Sequence, residues 1–180
     1  MSLIYLLSSL PMLNLGAAPG VTPETFRQAC RDQLSASDAA TAEALLDGAP
    51  AAHPFAAAWQ DKETILRNAV ARLRAKAAGK DAARWLRHAQ GSDCQIEALA
   101  EDAFQEADPL QRERELDKIR WLAAEELQGP DPLGVRAVFA YAVKLAIATR
   151  WASLDAAQGQ AVFDRLAETA PSPGHSTPHP

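Results

Sequence analysis

The side chains most able to hold a metal or act as nucleophiles are His53, His88, His175 and His179, with Cys30 and Cys94. A metal site needs three or four such ligands converging at a fixed spacing. Two of the histidines fall in a proline-rich terminus and two near expected helix ends. His88 and Cys94, six residues apart across a turn, follow no ligand spacing, and neither cysteine has a Cys-x-x-Cys partner. There is no Gly-x-Ser-x-Gly elbow and no credible Cys/His pair for nucleophilic catalysis. Gly79-Lys80 is followed by Asp81, with no glycine upstream at the distance a phosphate loop requires. General acid–base work needs a carboxyl lodged in an apolar setting. The pairs Glu125-Glu126 and Glu113/Glu115 instead sit in a charged helical stretch. These residues predict no catalytic group, no cofactor and no metal; an enzyme with an unrecognised site ranks as the third reading of function.

Charge gives a different pointer. Residues 60–90 hold eight Lys or Arg against three acids, and residues 93–131 hold twelve acids against four bases. The simplest account is two solvated helix faces that partly neutralise each other when packed. The functional account is a basic strip, Arg72, Lys76, Lys80, Arg84 and Arg87, that meets an acidic partner surface. Nucleic acid is a poor partner. The chain carries a net charge of −5, the strip has only Trp59 and Trp85 as aromatics, and the acidic stretch repels phosphate. Three of the four tryptophans follow an arginine, at Arg84-Trp85, Arg120-Trp121 and Arg150-Trp151. On a helix the two neighbours point about 100° apart, so the ring can be core while the guanidinium lies at its rim. Packing is the favoured role, with partner recognition as the other.

The elements that position these residues are helical. Alanine occurs 39 times and leucine 21 times, one residue in three, while Val, Ile and Thr together number 18. Thr22-Pro23-Glu24 starts a helix that runs to about Leu34. Ser37 and Asp38 open a second, closed by Asp47-Gly48. Residues 54–78 read as one long helix through Phe55, Trp59, Leu66, Val70, Leu73 and Ala77, ended by Gly79. A shorter helix from Asp81 carries Trp85 and Leu86. Ser92 or Asp93 caps the next, with Ile96, Leu99, Ala103 and Phe104 on one face. Asp108-Pro109 starts a helix to about Gln128 with Leu116, Ile119, Leu122 and Leu127 inward. After the Gly129-Pro130-Asp131-Pro132 breaker, the last long helix covers residues 133–151. Asp155 caps a final helix holding Val162, Phe163 and Leu166. The expectation is a single all-α domain over residues 1–170, about eight helices packed as antiparallel hairpins. Residues 171–180, with four prolines and no apolar anchor, form a disordered tail whose deletion leaves the melting temperature almost unchanged.

The opening residues MSLIYLLSSLPML have no Lys or Arg, are interrupted by Ser8-Ser9 and Pro11, and are far shorter than a membrane span. The sequence predicts a cytoplasmic protein with both cysteines as thiols, Cys30 buried among Phe26, Ala29 and Leu34. It predicts no direct membrane insertion.

Several blocks, taken in order, carry a family resemblance. Tyr5-Leu6-Leu7-Ser8-Ser9-Leu10-Pro11-Met12-Leu13 is similar to a Tyr-Leu-x-x-Ser-Leu-Pro-x-Leu start. Phe26 to Leu34 is similar to a Phe-x-x-x-Cys-x-x-x-Leu helix. Asp108-Pro109-Leu110 leads into Glu115-Leu116-Asp117-Lys118-Ile119-Arg120-Trp121, and Ala140-Tyr141-Ala142-Val143-Lys144-Leu145 and Arg150-Trp151-Ala152-Ser153-Leu154-Asp155 follow. Together they resemble a bacterial family of unknown function encoded among genes of V/A-type ATPases. That family in turn faintly resembles the V-type ATPase C (d) subunit, a helical funnel joining the central stalk to the membrane ring. The chain departs from that subunit in having about half its length and one early tyrosine, Tyr5, where two are common. The resemblance implies a non-catalytic subunit or an accessory or assembly protein of a bacterial V/A-type ion-translocating ATPase. It would act as a helical coupling or scaffold element, touch other ATPase subunits on the central-stalk or membrane-ring side, and be at most peripheral at the inner membrane. The alternative is a helical protein–protein interaction adaptor unrelated to the ATPase.

Overall fold

Capping chemistry sets the helix starts. Thr22 accepts from the Thr25 amide ahead of a proline at the first helical position, Asp93 accepts from the Gln95 and Ile96 amides, and Asp108 accepts from the Leu110 amide. His53 caps through its ring, Nδ1 accepting from the Phe55 amide. The structure, a computed structural model, describes residues 3–154 together with Val162 and Arg165. Seven α-helices lie in it: α1 (Leu3–Ser9), α2 (Pro23–Gln33), α3 (Ala36–Leu46), α4 (Pro54–Ala77), α5 (Cys94–Ala103), α6 (Pro109–Gln128) and α7 (Val135–Ala152). No strand occurs among the described residues. The fold is all-α in a single domain, with consecutive helices α2 and α3, α4 and α5, α5 and α6, and α6 and α7 in contact.

The core has two parts. In the first, α7 is central and packs on α1, α2, α3 and α6. Helix α7 is therefore buried almost all round, through Val138, Phe139, Ala140, Ala142, Val143, Leu145 and Ala148. Phe26 stacks on Tyr141 at 5.5 Å, and Phe139 takes the edge of His53 at 4.7 Å and Phe55 at 5.5 Å. The Tyr141 hydroxyl donates to the Pro11 carbonyl, which fastens the amino-terminal segment over this core. The second part lies between α4, α5 and the first half of α6, around Ile65, Leu66, Ala69, Ile96, Ala100, Leu116 and Ile119.

Several sequence expectations need correction. The helix expected from Asp81 is one 3-10 turn, Ala83–Trp85, followed by extended chain at Leu86; Trp85 and Leu86 are exposed. Asp81 accepts from the Ala83 amide, but the turn does not propagate, because the Arg87 amide and carbonyl are held by the Asn68 side chain of α4 in place of helical partners. The second helix begins after Ser35, whose hydroxyl accepts from the Asp38 amide, and not at Ser37 or Asp38. Helix α1 was unforeseen, because its polar interruptions at Ser8 and Ser9 are absorbed by hydroxyl bonds back to the Ile4 and Leu6 carbonyls. Leu122 is exposed and Leu127 only half-buried, because α6 turns Asp117, Trp121 and Ala124 inward toward α7. The expected cap at Asp155, Phe163, Leu166 and the 171–180 tail lie outside the described residues; Val162 and Arg165 are helical.

Candidate functional site

Asn68 does most to shape the site. It sits in the middle of α4, almost fully buried, where a polar side chain must find partners. Its Nδ2 donates to the Arg87 carbonyl at 2.7 Å and its Oδ1 accepts from the Arg87 amide at 2.9 Å. One amide side chain thus satisfies both backbone groups of one residue and ties the segment after the 3-10 turn along α4. Three residues on, the Gln90 amide reaches Asp61 Oδ1 at 3.3 Å.

Between α4, this tethered segment and α6 lies a cleft of about 640 Å³. Val70, Ala71, Ala75 and Leu116 give it an apolar lining, and Trp85 stands at its edge with the Arg84 guanidinium 4.4 Å over the ring. Its cations are Arg67, Arg74, Lys80, Arg87 and Arg120, against the single acid Glu113. Three are engaged within the chain. Arg67 reaches Glu63 at 3.3 Å, Arg74 reaches Glu113 at 3.6 Å, and Arg120 is locked as described next. Lys80 and Arg87 have no carboxylate partner among the described residues. A second depression of about 550 Å³ shares Arg67, Arg87 and Arg120 and runs on toward Trp59, Ile147 and Arg150.

The base of that second depression is a buried polar network joining α4, α6 and α7. Asp117 is fully buried. Its Oδ1 accepts from Arg120 at 2.9 Å, and its Oδ2 accepts from Arg150 and from Trp151 Nε1, the latter at 2.7 Å. Arg120 also donates to Glu63 at 2.6 Å. Burial opposes the Arg120 charge, but Glu63 and Asp117 outweigh it and hold its pKa above the ordinary arginine value. A fully buried carboxylate that accepts from two guanidiniums and an indole N–H is an architectural tie, shut away from a substrate by its burial. Beside it, Lys62 joins Asp93 at 2.6 Å and Glu126 at 2.8 Å. Burial opposes the Lys62 charge, while its bonds to Asp93 and Glu126 raise the pKa on balance. The same bond from Lys62 holds Asp93 below the usual carboxylate range.

The Arg-Trp steps divide accordingly. Arg120-Trp121 and Arg150-Trp151 are packing devices, with Trp121 Nε1 donating to Glu125 and Trp151 Nε1 to Asp117. Arg84-Trp85 is exposed at the cleft edge.

The five sequence candidates are all exposed, but they do not form one strip. Lys80 and Arg87 line the cleft, and Arg84 adjoins it through the Trp85 ring. Arg72 lies on another side of α4, paired with Glu97 of α5 at 2.9 Å, and Lys76 follows it one turn on without an ion pair among the described residues. The four-residue spacing from Arg72 to Arg84 marks one helical face only while the helix lasts. It ends at Ala77, and Gly79, at φ 64°, turns the chain. Sequence reasoning missed Arg67, Arg74 and Asn68. Arg67 and Arg74 are seven residues apart with Ala71 between them, a two-turn spacing that puts them on one face; nothing local marks Asn68.

Among the described residues no group of three or more His, Cys, Asp or Glu side chains is placed to hold a metal ion. No helix among them is long and apolar enough to cross a membrane. No curated protein and no solved structure matches the chain. Residues 94–170, which take in α5, α6 and α7 but not α4 or the tethered segment, match the model of a family described as a protein of unknown function, DUF2764.

Proposed function

We propose that the protein is a non-catalytic helical binding module, an adaptor that engages an acidic surface of another protein through the α4–α6 cleft. The observation that carries this reading is the pair Lys80 and Arg87, cations without carboxylate partners at the mouth of an apolar-lined cleft beside an exposed tryptophan. Trp and Arg are the residues most enriched at binding hot spots. Chemistry at the buried carboxylate is disfavoured, because Asp117 is fully buried and tied to three donors of its own fold.

A narrower reading places the module in the cytoplasm as an accessory or assembly protein of a bacterial V/A-type ATPase. What favours it is that the family match covers three of the blocks on which the ATPase resemblance rests, residues 108–121, 140–145 and 150–155. Capture of partners on the immobilised protein, read by mass spectrometry, tests both. The expected result is a partner captured at low salt and lost at high salt and with Arg84→Glu/Arg87→Glu, whose own melting temperature stays near wild type. ATPase subunits in the captured set support the narrower reading; a defined set without them selects an unrelated adaptor. An unstable double variant would make these arginines scaffold. A stable one that captures the same set would make the surface a solvated face.

A further inference from the structure

We propose that the cleft takes an acidic linear segment of the partner, with a bulky apolar side chain set on the Val70, Ala71 and Ala75 lining against Trp85 and carboxylates at Lys80 and Arg87. This rests on the binding-module reading and specifies its ligand.

Three observations select that chemistry. First, the volume of about 640 Å³ falls in the range of ligand pockets, roughly 300–1,000 Å³. The lining gives an anchor side chain somewhere apolar to go. Second, the unpaired charge is positive and sits at the rim. Arg67, Arg74 and Arg120 already face carboxylates of the chain, which leaves Lys80 and Arg87 to be matched from outside. A charge pair at a half-open rim steers and orders a partner, while the buried anchor supplies affinity. Third, the second depression adjoins the cleft, with Arg67, Arg87 and Arg120 bordering both, so a segment long enough to lie over the two has more surface to meet than a compact anion. A nucleic-acid backbone fits poorly. The two unpaired cations of the lining, Lys80 and Arg87, do not make the continuous run of positive charge that tracks a phosphate backbone, and Trp85 is the one ring lining the cleft on which a base could stack. The Asn68 clamp keeps Arg87 and the neighbouring Trp85 in place before the ligand arrives, which lowers the ordering cost of binding.

The test uses the full chain and a fluorescein-labelled peptide in which glutamate pairs flank phenylalanines. An all-glutamate peptide of equal length, oligo-dT and inorganic phosphate serve as comparisons. The expected result is that the phenylalanine-bearing peptide binds about tenfold or more tighter than the all-glutamate peptide. It should change tryptophan emission in wild type but not in Trp85→Phe, and lose about tenfold or more with Lys80→Glu/Arg87→Glu at unchanged melting temperature. Equal binding of all the polyanions would reduce the site to non-specific attraction and overturn the inference. So would peptide binding that ignores the Lys80→Glu/Arg87→Glu change. Self-association of the protein abolished by that same variant would give the cleft to a second copy and also overturn it. The variant is then used in the partner capture described above. Capture intact in the variant sinks the cleft assignment while leaving the binding-module reading standing; no capture even by wild type sinks the module reading itself.

Discussion

The core around α7 and the core between α4, α5 and α6 are built on different principles. Around α7 the buried groups include large side chains, Leu6, Phe26, Phe55, Trp121, Phe139 and Leu145, set among six alanines, with Tyr141 at the margin. Between α4 and α6 they are Ile, Leu and Ala, with no fully buried ring; Phe104 is half-buried under the Arg112 guanidinium at 5.0 Å. The second region adds polar ties between distant residues, the Asn68 clamp and the Lys62 bridge, and the Asp117 network joins it to the α7 core. The cleft lies in this second region. Elements with less buried apolar surface open more readily, and binding surfaces are drawn from such elements. The α7 core is thus the apolar anchor of the fold, and the α4–α6 side is held chiefly by polar ties.

The largest expected effect comes from breaking the anchor. Phe139→Ala removes a fully buried ring that meets His53 and Phe55, and should cost about 3–5 kcal/mol in denaturant unfolding. A smaller loss than Ile96→Ala causes in the second core would overturn the ranking of the two regions. Next is the joint between them. Asp117→Ala leaves Arg120 facing Glu63 alone and strands the Trp151 indole N–H, and should cost about 3 kcal/mol. Arg150→Ala should cost less, because that guanidinium is half exposed.

The third contrast is in alkali. Burial, with a smaller contribution from Glu43, pushes the Cys30 thiol up from 9.0 to about 12. Above pH 9 the unfolded thiol has lost its proton while the native one keeps it. The unfolded state then binds fewer protons, and stability falls as pH rises. The slope is about 1.4 kcal/mol per pH unit until the native thiol ionises. Tyr141, raised to about 12 by burial, acts in the same direction above pH 10. Urea titrations from pH 8 to 10.5 should show the decline, and Cys30→Ala should flatten its part of it. In the native protein Cys94, which is exposed, should react with iodoacetamide far faster than Cys30.

The smallest effect is the most local. Asn68→Ala should cost about 1 kcal/mol globally. It should still abolish hydrogen-exchange protection of the Arg87 amide while leaving that of α7 intact. Equal loss of protection in α7 would show that the two regions open as one unit.

Much of the fold was legible because its signals are local. Thr22-Pro23, Asp93 and Asp108-Pro109 announce helix starts within a single turn. Gly79 and Gly129-Pro130 announce ends, and the spacing of Phe26 and Cys30 shows which side of α2 is buried. The same reasoning failed beyond Asp81, where nothing local separates a short helix from a 3-10 turn, and at Leu122, where the inward face of α6 is chosen by α7.

By itself, then, the sequence determined the helical class, most helix boundaries, the burial of Cys30 and the surplus of positive charge in residues 60–90. These depend on groups within four residues of one another or on composition. Tertiary structure alone decided which charges are spent. Arg120 meets Glu63 across 57 residues, Arg150 and Trp151 meet Asp117 across 33 and 34, and Asn68 holds Arg87 across 19. Within residues 60–90, Lys62, Arg67, Arg72 and Arg74 are likewise spent on carboxylates of the chain, while Lys76, Lys80, Arg84 and Arg87 make no ion pair among the described residues, and of these Lys80 and Arg87 line the cleft with Trp85. A charge's availability is set by what the fold brings within a few ångströms of it, and no spacing along the chain encodes that distance.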